Sequence, residues 1–226
     1  MKCPKCLKIN PENSKFCNEC GFNLSTLPQT DLNGKLSKPN IEGERKNATV
    51  LFSDLSGYTA MTEKMDPEEV KNLMGDIFER AGKIVEKYKG TVERFFGDEI
   101  MILYGVPKAH EDDPARAVHT AIEIHKLVEK LSPEFEKKYQ TQLSMHTGIN
   151  TGLVITGDKY IGKGRHGLTG DTINLAKRLT GYANSGEIII GENTFQKVRK
   201  KFNFQIDTPL EVKGKANRIN VYRVDG

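Results

Sequence analysis

The stretch RFFGDEIMILYG, residues 94–105, places two adjacent carboxylates between two apolar runs. The runs predict two strands, and Gly97 with Asp98 predicts the turn of a hairpin between them. A charged group is costly to bury, so a carboxylate at such a turn is exposed, paired with a cation or bound to a metal. Asp98 and Glu99 are therefore the first candidates for a functional site.

The segments before this hairpin alternate between strand and helix patterns. Residues 48–55, ATVLFSDL, predict a strand that runs into the carboxylate of Asp54. Residues 66–90 predict an amphipathic helix, because apolar residues recur at helical spacing and Asp66 followed by Pro67 is a helix start signal.

The second half of the chain continues this alternation. Residues 111–131 predict a helix that starts at Asp113-Pro114, residues 143–158 predict a strand pair, and residues 170–183 predict a helix after a Gly-rich loop. The tail adds short strands and one short helix. This order favours an α+β fold with a ferredoxin-like core, in which a mostly antiparallel sheet carries helices mainly on one face.

All four cysteines form two Cys-x-x-Cys pairs in the first 20 residues: Cys3, Cys6, Cys17 and Cys20. Two such turns complete a closed tetrahedral site for a structural Zn²⁺, because four thiolates leave no position for water. The alternative is a pair of disulfides, but nothing in the sequence indicates an oxidising compartment. Residues 1–24 resemble the small zinc ribbons of bacterial cytosolic proteins, and we expect such a ribbon here.

Composition divides the rest of the chain in two. Residues 25–46 mix Pro, Gly, Ser, Asn and charge without an apolar period, which predicts a linker. The periodic segments all lie in residues 47–226. The zinc ribbon is also a candidate site for a protein partner.

Charge and hydropathy limit the partners of this protein. The net charge of +4 is modest and comes mostly from residues 1–46, where eight Lys or Arg face five Asp or Glu. Nucleic acid is therefore not expected as a partner, since that role usually requires a concentrated basic stripe. The sequence has neither a signal peptide nor an apolar run of the ~20 residues that span a membrane, so we expect a cytoplasmic protein.

Asp54 and Asp98 are candidate metal ligands. In a ferredoxin-like core their strands are neighbours, so the two carboxylates could converge at one edge of the sheet. Such a pair suits Mg²⁺, which binds through one or two carboxylates together with substrate phosphates. The alternative is structural, with each Asp satisfying the backbone of its own turn.

Four segments, in order, resemble motifs of the class III adenylate/guanylate cyclase family. They are LFSDLSGYTAMTEKM (51–65), GTVERFFGDEIMILYGVPKAHEDDPARAV (90–118), GLTGDTINLAKRL (167–179) and VKGK (212–215). The hairpin alone also resembles the Gly-Gly-Asp-Glu-Phe turn of diguanylate cyclases. That family requires a second glycine where Phe96 stands, and it does not carry the third segment.

The class III resemblance implies an enzyme that converts ATP to 3′,5′-cyclic AMP and pyrophosphate with two Mg²⁺ or Mn²⁺ ions per active site. Asp54, Asp98 and the Leu55 carbonyl are then expected to hold both ions. Asn174 is expected to orient the ribose, and Arg178 to stabilise charge on the α-phosphate in the transition state.

The same resemblance implies a homodimer. The metal ligands come from one protomer and the helix with Asn174 and Arg178 from the other, so a chain with one copy of each forms two equivalent sites. Lys213 or Lys215 is expected to hold the β- and γ-phosphates.

The two base-selecting positions depart from the family pattern. Arg94 stands where adenylate cyclases usually carry Lys, and Gly167 where they usually carry Asp or Thr. Arg94 can only donate hydrogen bonds, which suits the N1 acceptor of adenine and not the N1–H of guanine. ATP is favoured; the alternatives are a guanylate or relaxed-specificity cyclase, or a non-catalytic nucleotide sensor on this fold.

Two further polar residues are not expected to take part. His146 has no partner at metal-ligand spacing and is expected to be a packed or surface residue. Glu99 is not expected to be a ligand, because the class III pattern needs only one acid at this turn.

Overall fold

A computed structural model describes residues 3, 6–11, 14, 16–21, 24, 44–156, 168–211 and 218–225. The chain divides into two compact units, Met1–Glu42 and Gly43–Gly226. Among the described residues, no helix has both the length and the apolar character needed to cross a membrane.

The described part of the second unit has an α+β architecture. Its elements in chain order are β1 (Glu44–Ser56), α1 (Tyr58–Thr62), α2 (Pro67–Lys87), β2 (Thr91–Phe96), β3 (Glu99–Tyr104), α3 (Asp113–Tyr139), β4 (Ser144–Thr156), α4 (Asp171–Tyr182), β5 (Ile188–Gly191), α5 (Glu192–Val198), β6 (Phe204–Ile206) and β7 (Val221–Val224). The strands form one sheet in the order β2-β3-β1-β4-β5-β7-β6. Neighbours are antiparallel except β4 and β5, which run parallel.

The first four strands form the predicted ferredoxin-like core. The order β2-β3-β1-β4, with α2 and α3 as connections, is that of a β-α-β-β-α-β unit. As predicted, α2 starts after Asp66, whose side chain accepts the backbone N–H of Glu68 at 2.8 Å. Pro67 occupies the first helical position, where no backbone hydrogen bond is lost.

Three local predictions differ from the structure. Residues 143–158 are not a strand pair, because residues 144–156 form the single strand β4, which pairs with β1 along its whole length. The strand β1 begins at Glu44, inside the predicted linker. The helix α3 starts at Asp113 as predicted, but the start signal implies Asp113 as the N-cap, whereas the N-cap is Asp112 and the Asp113 carboxylate accepts the backbone N–H of His110 at 2.8 Å.

The two faces of the sheet bury different cores. Alternate side chains of β1 point to opposite faces, and Leu51 and Leu55 pack with α2, α3 and α5 in the larger core. Val50 and Phe52 point the other way and pack with Ala176 of α4. Among the described helices, α2, α3 and α5 therefore cover one face of the sheet, and α4 covers the other.

A close approach of backbones fixes α4 on this second face. A Cβ atom added to Gly148 of β4 would lie 2.2 Å from the Thr180 nitrogen and 2.4 Å from the Ala176 oxygen. A Cβ atom on Gly152 would meet the Thr172 hydroxyl at 2.7 Å. These glycines therefore mark helix packing rather than a turn, which is why the strand-pair prediction failed.

Substitution of Gly148 tests this packing. Gly148→Ala should lower the free energy of unfolding by about 1–3 kcal/mol or more, because its methyl group collides with backbone atoms that cannot rotate away. Urea denaturation measures the change. Gly82→Ala is the matched control: it lies inside α2 with open space around its Cβ, so the variant should be as stable as the wild type or slightly more stable. Equal stability of Gly148→Ala and the wild type would contradict the packing.

Candidate functional site

A row of polar side chains crosses the end of the sheet on the face covered by α4. Asp54 of β1 lies directly opposite Glu99 of β3 on one side and His146 of β4 on the other. Directly paired residues point to the same face, so these three side chains are neighbours. Asp98 follows Gly97 in the turn between β2 and β3, immediately before Glu99. The structure thus brings the predicted pair of Asp54 and Asp98 together.

The environment of Asp98 suits a bound cation. Burial and the neighbouring Asp54 carboxylate raise the pKa of Asp98 above its usual value, and the two carboxyl groups lie within hydrogen-bonding reach of each other. Two carboxylates so close repel one another unless a cation lies between them. Oxygen donors are the ligands that Mg²⁺ and Mn²⁺ prefer, so the residues present fit these ions.

The contacts of Asp54 allow its carboxylate to bind a metal ion. One carboxylate oxygen accepts the backbone N–H of Leu55 at 3.1 Å. Leucine has no side-chain oxygen, so Leu55, whose side chain is buried in the larger core, can offer a metal ion only its carbonyl. This bond to the neighbouring backbone agrees with the structural alternative for one oxygen of Asp54, and the other carboxylate oxygen can still bind a cation.

His146 is much closer to the carboxylates than the sequence suggested. Its Nδ1 lies 2.9 Å from the Ser56 hydroxyl, and its Nε2 lies 3.9 Å from a carboxylate oxygen of Asp54. Its side chain is 20% exposed, so it is partly packed and not a free surface residue. The register of β1 against β4 creates this contact, and no spacing along the sequence reports that register.

Glu99 is paired with a lysine that sequence reasoning missed. Lys177 of α4 donates its ammonium to a carboxylate oxygen of Glu99, 78 positions away in the chain. The same ammonium lies 5.8 Å from the centre of the Phe52 ring. The pair forms because α4 lies across the sheet end, an arrangement that no local pattern reveals.

The other predicted residues of the second unit occupy two places. Asn174 and Arg178 are exposed on α4, one turn apart on the same side of the helix. Arg94 is exposed on β2 opposite Met101, whose side chain belongs to the core under α4, so Arg94 lies on the α4 face too. Three predicted residues fall outside the described residues: Gly167, Lys213 and Lys215.

The four cysteines cluster in the first unit. Their sulfur atoms all lie within 4.8 Å of one another, with Cys3 and Cys20 at 3.6 Å and Cys6 and Cys17 at 3.5 Å. A zinc ion with four sulfurs at ~2.3 Å has sulfur-to-sulfur separations of roughly 3.8 Å, so the cluster can hold Zn²⁺. All four are free cysteines, in contrast to the disulfide alternative.

A buried amide supports this cluster from outside. Asn10 is 3% exposed and donates to the Cys17 sulfur at 3.5 Å and to the Lys8 carbonyl at 3.1 Å. Its side-chain oxygen accepts the backbone N–H of Asn18 at 2.9 Å. Such hydrogen bonds orient a thiolate ligand and stabilise its charge.

Comparison with known proteins gives consistent matches over the second unit. The family model of the adenylate and guanylate cyclase catalytic domain matches residues 42–226. The adenylyl cyclase CyaB from P. aeruginosa has a TM-score of 0.77 at 29% identity and covers 82% of this chain and 97% of that chain. The guanylyl cyclase Cya2 has a TM-score of 0.75 at 29% identity and covers 81% and 94%.

A longer relative matches over the same region. An adenylate cyclase of Anabaena cylindrica is 28% identical over 191 residues, which is 79% of this chain but 37% of that protein. This chain therefore spans well under half of that relative's length. Since the family model covers the whole second unit and two solved cyclases share its fold, the chain belongs to the class III adenylate and guanylate cyclase family.

Proposed function

We propose that this protein is an adenylate cyclase that converts ATP to 3′,5′-cyclic AMP and pyrophosphate. The observation that carries the proposal is the pair of Asp54 and Asp98 at one end of a cyclase sheet, where mutual repulsion favours a bound cation. Two bound Mg²⁺ or Mn²⁺ ions supply acidification of the ribose 3′-hydroxyl and neutralisation of the triphosphate.

The other residues of the site have separate proposed roles in the reaction. Asp54, Asp98 and the Leu55 carbonyl would hold the ions. The ribose 3′-hydroxyl loses its proton to solvent, its oxygen attacks the α-phosphorus, the bond to the β-phosphate oxygen breaks, and pyrophosphate leaves. Arg178 donates to the α-phosphate oxygens as charge builds on them, and Asn174 holds the ribose in the attacking position.

Charge on the leaving pyrophosphate also needs a partner. Lys213 or Lys215, which flank Gly214 in the fourth motif, would act as a point charge on the β- and γ-phosphates. The resemblance of VKGK (212–215) to the family motif is the support for this role.

The choice of ATP rests on Arg94. Its exposed guanidinium lies on the same face as the carboxylates, and it offers only donors, which match the N1 acceptor of adenine. GTP is the second candidate, because an adenylyl and a guanylyl cyclase are both 29% identical to this chain. A non-catalytic nucleotide sensor is less well supported, because Asp54 and Asp98 are both present and adjacent.

The active protein is proposed to be a homodimer with two equivalent sites. Lys177 of α4 binds Glu99 of its own protomer, whereas Asn174 and Arg178 lie on an exposed side of the same helix. Consecutive helical residues point about 100° apart, so one helix can face its own sheet end and a partner's nucleotide together. A dimer with two-fold symmetry would then complete both sites.

The first unit is proposed to be a structural zinc ribbon that binds a protein partner. The sulfur geometry supports the zinc. Among the described residues of this unit, three large apolar side chains are exposed, Leu7 at 64%, Ile9 at 79% and Phe16 at 58%, and they support a protein contact.

Removal of one metal ligand tests the enzyme proposal. The purified protein with ATP and Mn²⁺ should form cyclic AMP, detected by chromatography, and more of it than cyclic GMP from GTP. Asp98→Asn should lower kcat by at least about 100-fold, because a misplaced metal forfeits several kcal/mol of transition-state stabilisation. Urea denaturation should show no loss of stability, since the substitution removes a repulsion.

Asp76→Asn is the matched control, since Asp76 is a half-exposed residue of α2 that pairs with Arg80. This variant should keep wild-type activity. Absence of any cyclic nucleotide from the dimeric wild type, with either triphosphate, would overturn the enzyme proposal. Full activity of Asp98→Asn would overturn only the assignment of the metal site.

Mixing of two inactive variants tests the shared site. Asp98→Asn and Arg178→Ala homodimers should each be inactive, but a mixed dimer should keep one intact site. Equal mixing should restore about a quarter of wild-type activity, since half of the dimers are mixed and each has one site of two. Native mass spectrometry checks that mixed dimers form. If they form without regained activity, the two residues act within one protomer and the proposal is wrong.

Metal analysis tests the ribbon. Protein prepared without chelators should contain about one zinc per chain, and Cys17→Ser should lose it, because the site needs all four thiolates. Lys8→Ala is the control, since the side chain of Lys8 is exposed and forms an ion pair with Glu19 at 3.6 Å. A wild-type protein free of zinc would contradict a zinc ribbon.

A further inference from the structure

Three carboxylates, rather than two, meet at the candidate metal site. Glu99 lies next to Asp98 in the chain and directly opposite Asp54 across the sheet. Its side chain is 9% exposed, and Lys177 binds it. The predicted metal ligands therefore have a third oxygen donor group beside them that is already engaged by a cation of the same protomer.

The packing of α4 against the sheet determines the position of Lys177. Gly148 lets α4 approach β4 closely, and Ala176, next to Lys177, is buried against the sheet. The lysine stem crosses Phe52, with its ammonium 5.8 Å from the ring centre, and its end reaches Glu99. Packing of the stem and attraction to the ring both favour this one orientation of the side chain.

We propose that Lys177 is a positioning residue that holds Glu99 away from the metal ions. The carboxylates of Asp54 and Asp98, without that of Glu99, then determine how many ions bind and where they bind. This inference rests on the proposed function, because it assumes that Asp54 and Asp98 bind divalent cations. An unpaired Glu99 would be a competing oxygen ligand, since carboxylates are the donors that these ions prefer.

The pair also fixes the net charge that an incoming cation meets. With Lys177 bound to Glu99, their charges cancel and the local field is that of Asp54 and Asp98. Loss of the ammonium adds one negative charge beside the site, and loss of the carboxylate leaves one positive charge there. The two single substitutions should therefore shift metal affinity in opposite directions, which loss of a purely structural contact would not do.

A titration of Mn²⁺ into the protein of residues 1–226, followed by electron paramagnetic resonance, measures these shifts without catalysis. Lys177→Met keeps the stem over Phe52 and should lower the Kd for Mn²⁺ by about threefold or more, while Glu99→Gln should raise it by a similar factor. The double variant should bind Mn²⁺ close to wild type. Lys177→Arg, which keeps the charge, should also stay close to wild type.

Activity supplies a second readout. Lys177→Met should lower kcat although it binds Mn²⁺ more tightly, because Glu99 then draws an ion out of place. The matched control is Lys83→Met, which removes an exposed lysine of α2 that pairs with Glu79 and should change neither quantity.

The outcomes separate this inference from the proposed function. Loss of Mn²⁺ binding in Asp98→Asn would support the metal site. If Lys177→Met and Glu99→Gln then leave the Kd for Mn²⁺ unchanged, or shift it in the same direction, the proposed role of Lys177 is wrong although the metal site stands. If Asp98→Asn binds Mn²⁺ as the wild type does, or the wild type binds none, the metal site itself is wrong and the inference falls with it.

Discussion

Repulsion between the carboxylates of Asp54 and Asp98 is the constraint on which the rest of this site depends. The two groups lie side by side at the sheet end, and burial together with Asp54 raises the pKa of Asp98. The fold tolerates this cost because the same strands bury continuous apolar side chains on both faces, such as Leu51 and Phe52. A site that is unfavourable without a cation is, for the same reason, favourable with one.

The helix α4 relates this carboxylate pair to the remaining chemistry. Its close packing on β4 depends on Gly148, which has no side chain to hold the two backbones apart. In this position Lys177 of α4 binds Glu99. Arg178 is the next residue of the helix, Asn174 lies about one turn before Lys177, and both are exposed. One helix therefore carries both the lysine that binds Glu99 beside the proposed metal site and the groups proposed to act on a partner's nucleotide.

The sequence predicted those features that local patterns encode. Helix starts such as Asp66-Pro67, the hairpin turn at Asp98 and the paired cysteines all depend on residues close together in the chain. It missed features that depend on register or on packing between distant segments. His146 meets Asp54 through strand pairing, Lys177 meets Glu99 across 78 positions, and Gly152 serves helix packing inside a single strand where a strand pair was predicted.

We expect Asp54 and Asp98 to bind two divalent ions at a site that a second protomer completes. Crystals grown with Mn²⁺ and 3′-deoxy-ATP, which lacks the attacking hydroxyl, would locate the ions by anomalous scattering. They should show two Mn²⁺ peaks between Asp54 and Asp98, Glu99 still bound to Lys177, and the α-phosphate against Arg178 of the partner subunit. Mn²⁺ bound through Glu99, or an α-phosphate held by Arg178 of the same protomer, would contradict this arrangement.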